Sequence, residues 1–161
     1  VILDETNKMD KLVKQLLELM KLEYGKREFN DTKFNIVEVE KEVVRKSKVM
    51  LEEKQIQIEI KSADEIDVFA DDFYIEQVIS NYITNAIKHV KEVYGRKCIQ
   101  IENEVNVEKN KVRVKVFNTG DNIQEEHMAK IWNRFYKIDS SRNRQDRRNR
   151  YRVIFCKSYN E

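Results

Sequence analysis

From residue 9 onward apolar side chains return every three to four positions: Met9, Leu12, Val13, Leu16, Leu17, Leu19, Met20 and Leu22, with Lys, Asp and Glu between them. The spacing predicts a helix, and the breadth of its apolar face suits a bundle better than a single sheet. Gly25 supplies a stop, and the polar stretch 26–33 reads as a linker. A second helix is predicted over 35–54. Asn35 can cap it while Glu38 reaches back, and Val39, Val43 and Met50, widened by Val37, Val44 and Leu51, give it an apolar face. Ile56, Ile58 and Ile60 alternate with Gln57 and Glu59, the period of a half-buried strand. Val68 and Phe69 suggest a further short strand, ended by Asp71 or Asp72 as the cap of a third helix.

That third helix, 73–90, buries Ile75, Val78, Ile79, Tyr82, Ile83, Ala86, Ile87 and Val90. Asn81, Asn85 and Lys88 stand at i, i+4 and i+7 and so share a face. Asparagine competes for backbone hydrogen bonds inside a helix, so two of them on one face are easier to understand if they bind something; a merely solvated polar face is the plainer alternative. Two strands follow, 97–105 and 111–117, whose alternating Ile and Val predict an antiparallel hairpin turning near 108–110. Residues 125–132 read as a short helix containing His127, Met128, Ile131 and Trp132. Helix, strand, strand, helix, hairpin and helix in that order predict an α+β sandwich, with helices on one face of a mixed sheet.

Composition narrows the picture only a little. The chain has 161 residues, 40 % hydrophobic and 37 % charged, which suits one domain with a short appendage and a heavily charged surface. The net charge of +2 conceals an uneven distribution. Six arginines and one acid fall between Arg142 and Arg152, giving that stretch about +5 and the remainder about −3. No aromatic interleaving or recognition-helix pattern accompanies the basic run, so nucleic acid is not the expected partner. Cys98 and Cys156 lack CxxC spacing and a nearby ligand-like His, and read as structural thiols. Three glycines and no proline leave few residues for turns and phosphate loops.

The segment 76–90, EQVISNYITNAIKHV, resembles the asparagine box of bacterial sensor histidine kinases, within the superfamily that includes gyrase, Hsp90 and MutL ATPases. The resemblance implies that Asn85 holds Mg2+, with Asn81 and Lys88 beside the phosphates of ATP and His89 along the nucleotide. The chemistry is compatible, since an amide oxygen is a neutral hard ligand for an ion that keeps its other positions for water and phosphate. VFNTGDNI, 116–123, looks like the first glycine box. Asn118 takes the place of the acid that reads the adenine amine, Gly120 matches a retained glycine, Asn122 replaces the second, and Ile123 closes the box. IWNRFYKID, 131–139, resembles the phenylalanine box that opens the ATP lid, with Phe135, Tyr136 and Lys137 as its nucleotide-side residues and Arg134 near enough in sequence to reach phosphate.

The same resemblance makes residues 1–28 the second helix of a dimerisation and phosphoacceptor stem, and 29–161 a C-terminally truncated ATP-binding catalytic domain. The first stem helix and its phosphorylated histidine are not matched, because neither His89 nor His127 occupies that position. The implied activity is ATP-dependent phosphorylation of a stem histidine, followed by transfer to a response regulator. A homodimer through the missing stem is also implied, as is a place in the cytoplasmic portion of a membrane-bound bacterial protein. No catalytic side chain is assigned.

One motif departs from the family. Arg147, Arg148, Arg150 and Arg152 occupy the four glycine positions of the second glycine box, and Asn149 and Tyr151 replace its hydroxyl and leucine positions. Glycines there offer backbone N–H groups to phosphate at a helix start. Arginines bring a Cβ and bulk, with poorer control of the transferred group. A non-catalytic binding module or degenerate pseudokinase is therefore the alternative reading. A partial last helix holding Cys156 is expected, with an open sheet edge where further strands are missing.

Overall fold

The computed structural model describes residues 29–120, the backbone of a strand over Arg150–Lys157, and helical positions at Met9, Asp10, Val13, Lys14, Leu16, Leu17 and Met20. The chain divides into two units, Val1–Asn30 and Asp31–Glu161. In the first, the helical positions agree with the apolar spacing, and Met9, Val13, Leu16, Leu17 and Met20 are exposed.

The second unit runs β1 (Thr32–Asn35), α1 (Ile36–Lys46), α2 (Lys48–Glu53), β2 (Gln57–Lys61), β3 (Asp67–Ala70), α3 (Asp72–His89), β4 (Cys98–Asn106), β5 (Lys111–Asn118) and β6 (Arg150–Lys157). The main sheet has the order β2-β4-β5-β6, with β2 parallel to β4 and the other pairs antiparallel. β1 and β3 form a separate antiparallel ribbon. The result is the expected α+β architecture, helices against a mixed sheet.

The core follows from the two periodicities. α3 buries Ile79, Ile83, Ala86 and Ile87, one stripe at helical spacing, against α1 and β5. From the hairpin, Ile99, Ile101, Val112, Val114 and Val116 reach the same core, with register Ile101↔Val116 and Val105↔Val112. Full burial of each such aliphatic side chain contributes roughly 1.5–3 kcal/mol. The alternate positions form an outer charged row, where Arg113 Nη1 meets the opposite Glu104 Oε2 at 3.1 Å.

Helix ends are set locally. Asn35 Oδ1 accepts from Val37 N at 3.0 Å and also from Ile66 N at 3.1 Å, so one side chain starts α1 and ties it to the β3 side. Asp71 caps α3 by accepting from Tyr74 N at 3.2 Å. α2 stops without glycine: Gln55 adopts φ 55°, while Gln55 N donates to Glu52 O (3.0 Å) and Ile56 N to Leu51 O (2.9 Å). This is a Schellman closure sealed by buried Leu51 and Ile56.

Four expectations are corrected. The predicted linker 26–33 ends early, since Thr32 and Lys33 already pair with Ala70 and Phe69. The single helix 35–54 is broken at Ser47, whose Oγ donates back to Val43 O at 2.9 Å. Such back-bonding competes with the helical ladder. The buried stripe of α1 and α2 is also rotated from the predicted one: Ile36, Val37, Glu40, Val43, Ser47 and Leu51 face inward, whereas Met50 is 41 % exposed. Two polar residues can occupy that stripe because each finds a partner inside. Finally, Cys156 lies in an extended strand and not in a helix, and that strand, β6, pairs with β5 from Lys111↔Lys157 to Asn118↔Arg150. Arg152, Ile154 and Cys156 are the Cα partners of Val116, Val114 and Val112, an alternation that a strand can use and a helix cannot. The predicted short helix 125–132 lies outside the described residues.

Candidate functional site

The site forms where the C-terminal end of α3 meets the turn after β5. Along α3, Asn81, Lys88 and His89 are exposed and Asn85 is half-buried, all flanking the Ile79–Ile83–Ala86–Ile87 stripe that anchors the helix. Burial of that stripe fixes the rotation of the helix, and the rotation fixes where the asparagines stand. Among the described residues no hydrogen bond engages the Asn85 side chain, so its amide oxygen remains available to a ligand.

From the other side come Asn118, Thr119 and Gly120. Asn118 is only 6 % exposed, and its Nδ2 donates to Thr119 O at 3.0 Å. Because a carbonyl can only accept, this contact fixes the amide orientation and leaves Oδ1 as the acceptor end. Gly120 is buried at φ +143°, and a Cβ built there would lie 3.0 Å from His89 O and 3.4 Å from Lys91 N. The turn therefore rests directly on the end of α3, an approach that only glycine permits.

Thr119, which the sequence reading passed over, holds the two halves together. Its Oγ1 donates to Lys91 O at 2.8 Å and accepts from Cys98 N at 3.1 Å. Its carbonyl accepts from Lys91 N at 2.9 Å, and its N–H donates to Cys98 O at 2.9 Å. The segment after α3, the start of β4 and the end of β5 are thus joined through one residue. Lys54 adds a further tie, as its Nζ donates to Ile87 O (3.2 Å) near the helix terminus, where a cation complements the exposed carbonyls. Nothing in the sequence separates Thr119 from any other strand-end threonine, because its role depends on which backbones the fold brings beside it.

Of the predicted site residues, the structure brings the group Asn85, Lys88 and His89 on α3 to the same end of the fold as Asn118 and Gly120. Asn81 lies one turn before Asn85 on the same helix. Ile123, Arg134, Phe135, Tyr136 and Lys137 lie outside the described residues, as do Arg147 and Arg148. Arg150 and Arg152 fall in β6. Cys98 is a half-buried free thiol, its Sγ 3.9 Å from Gln57 Oε1.

Across residues 70–159 the chain matches the family of histidine kinase-, DNA gyrase B- and HSP90-like ATPases. The chain belongs to that family. Within it, the domain is of the sensor histidine kinase type, an ATP-binding catalytic domain. The sensor protein CreC of Escherichia coli (strain K12) is 31 % identical over 137 residues, covering 85 % of this chain and 27 % of CreC. The sensor histidine kinase WalK of Bacillus subtilis (strain 168) is 29 % identical over 144 residues, 88 % of this chain and 23 % of WalK. The nucleotide-free catalytic domain of histidine kinase ThkA superposes with a TM-score of 0.61 at 32 % identity, covering 70 % of this chain and 73 % of that one. ThkA in complex with the response regulator protein TrrA superposes at 0.64 with 31 % identity, over 82 % of this chain and 38 % of ThkA. The histidine kinase-type domain spans about a quarter of the length of these two curated relatives. Among its described residues no helix is long and apolar enough to cross a membrane.

Proposed function

We propose that this histidine kinase-type domain binds Mg-ATP between α3 and the Asn118–Gly120 turn, and presents the γ-phosphate to a histidine on a separate stem helix. The observation that carries the reading is the close approach of Gly120 to the main chain at His89 and Lys91, one helical turn beyond Asn85. The residues present suit the ion and the nucleotide. Asn85 offers one uncharged amide oxygen, adequate for Mg2+ that draws its other ligands from water and phosphate. When bound, the ion supplies neutralisation of phosphate charge. Asn118 offers an inward acceptor for the adenine amine, and Asn81 and Lys88 lie toward the phosphate side, Lys88 as a point charge. His89 flanks the nucleotide. Ile123, Phe135, Tyr136 and Lys137, assigned to the same nucleotide by their motifs, lie outside the described residues.

In the proposed reaction the stem histidine's ring nitrogen bonds to the γ-phosphorus as the bond to the bridging oxygen of ADP breaks, and the phosphoryl group later passes to an aspartate of a response regulator. Positioning and charge neutralisation carry such transfers. A regulator partner is supported by the ThkA–TrrA complex, although ThkA is a longer protein. Dimerisation through a stem and a place beneath a bacterial membrane belong to the same proposal.

A second reading has its own support. Arg150 and Arg152 sit in the β5–β6 ladder, where backbone N–H groups serve strand pairing and are not gathered at a helix start to cradle phosphate. A binding module with weak nucleotide affinity and no phosphoryl transfer would have this feature. Calorimetric titration with a non-hydrolysable ATP analogue, with and without Mg2+, separates the two, once far-UV circular dichroism has shown the chain folded. Magnesium-dependent heat that disappears in Asn85→Ala supports the kinase reading, with phosphorylation of a supplied stem as the next step. A folded chain giving no heat, and no competition by ADP, would leave the binding module.

A further inference from the structure

Among the described residues Glu40 is the one buried acidic side chain, at 0 % exposure on the inward stripe of α1. Among the described residues its hydrogen-bond partner is Asn103 on β4, whose Nδ2 donates to Glu40 Oε2 at 3.0 Å. The other oxygen of each group, Glu40 Oε1 and Asn103 Oδ1, is buried with no donor. A carboxylate facing an amide in this way has two acceptors left bare at once, and bare buried acceptors are costly. One proton satisfies both. A carboxylic acid on Glu40 turns Oε1 into a donor that can serve Asn103 Oδ1, while Nδ2 continues to serve Oε2.

We propose that Glu40 is carried as a neutral acid in the folded chain, closing a two-hydrogen-bond acid–amide pair with Asn103, so that the packing of α1 on the sheet depends on a bound proton near neutral pH. Burial, only partly opposed by the Asn103 hydrogen bond, pushes the Glu40 carboxyl up to about 7.

No described cation is placed to hold Glu40 ionised. On α1, Lys41 pairs with Glu38, and Arg45 with Glu42. On α2, Lys48 lies 3.7 Å from Glu52, and Glu53 is exposed. α3 brings Glu76, held by Lys46 from α1, together with Tyr74, Tyr82, Lys88 and His89. On β2, Glu59 and Lys61 lie together. On β4 and β5, Glu102, Glu104, Lys111, Arg113 and Lys115 alternate with the buried Ile and Val, and so take the opposite face of the sheet from Asn103. On β6, Arg152 and Cys156 are Cα partners of Val116 and Val112, each in a row adjacent to that of Asn103 and Val114.

The test is urea unfolding of the 161-residue chain and of Glu40→Gln between pH 4 and pH 8.5. Glutamine can both donate to Asn103 Oδ1 and accept from Nδ2, reproducing the protonated pair at every pH. The wild-type folding constant, taken relative to Glu40→Gln, is expected to fall by roughly 300-fold as pH rises from about 4.5 to about 7, and to level off above. A wild-type to Glu40→Gln difference that stays flat across the range overturns the proposal, and points to an ionised carboxylate bridged to Asn103 by water. If the variant does not fold, the carbon-13 titration of the Glu40 carboxyl in the wild-type chain decides. A midpoint near 7 supports the acid–amide pair, and one at the ordinary carboxylate value overturns it.

Discussion

Replacing Gly120 by alanine tests whether the turn truly rests on α3. Two costs add. At φ +143° the backbone is in a region that residues with a side chain rarely enter, worth on the order of 1–3 kcal/mol. The new Cβ would also stand 3.0 Å from His89 O, a main-chain atom that must give way by a few tenths of an ångström. It cannot move alone, because Val90 N donates to Ala86 O at 2.8 Å, and Lys91 N donates to Thr119 O at 2.9 Å. Weakening one such bond adds about 1 kcal/mol. The expected loss is therefore about 2–4 kcal/mol in urea unfolding, with weakened binding of the ATP analogue. Gly95→Ala is the internal control. Its φ is +76°, but a Cβ there meets nothing within 4 Å, so it should lose only about 1 kcal/mol, from the backbone alone. If the two variants lose the same stability, or if Gly120→Ala binds the analogue unchanged, then the contact between the turn and the helix end does not matter as described.

Three further outcomes are expected. Thr119→Val keeps the shape but strands Lys91 O and Cys98 N, and should cost about 2–3 kcal/mol in urea unfolding while lowering analogue affinity. Asn35→Ala orphans the N–H groups of Val37 and Ile66 together, so its loss should be about 2–3 kcal/mol, above that of an ordinary helix cap, as read by chemical denaturation. For Glu40, the folded chain retains between about pH 4.5 and 7 a proton that the unfolded chain releases. Stability relative to Glu40→Gln should thus decline with rising pH by roughly 3 kcal/mol across that window, and a rise would contradict the sign.

What was legible in the sequence was whatever local chemistry decides. Asn35 and Asp71 cap helices because a short side chain before a helix finds nearby N–H groups, and the alternation of Ile99, Ile101, Val112, Val114 and Val116 can face a core in only one way. The α3 stripe, and with it the orientation of Asn85, follow from the same rule. Other features depend on partners far along the chain. β1 exists because β3 pairs with it. Glu40 and Ser47 broke the apolar pattern, so the predicted face of α1 shifted toward Val39 and Met50; only the distant Asn103 shows why a glutamate can lie inward. In the site, Gly120 was recognisable by its residue type, whereas Thr119 became visible only once Lys91 and Cys98 were seen beside it. The arginines at 150 and 152 carried a sign of altered phosphate chemistry, but strand pairing, which changes what their backbones can do, was not foreseen.

The pairing of Asn118 with Arg150 has a topological consequence. The stretch between them leaves the sheet and returns to it at a single rung, so its two ends are held a strand's width apart whatever lies between. Chain-closure entropy then makes its length nearly irrelevant to the sheet, since doubling the excursion would cost only about 0.6 kcal/mol. Insertion or deletion between residues 121 and 149, beyond Thr119 and Gly120, should leave the β4–β5–β6 ladder standing. Sequence and length between the two ends can therefore vary while α3 and Gly120 stay in register with β5.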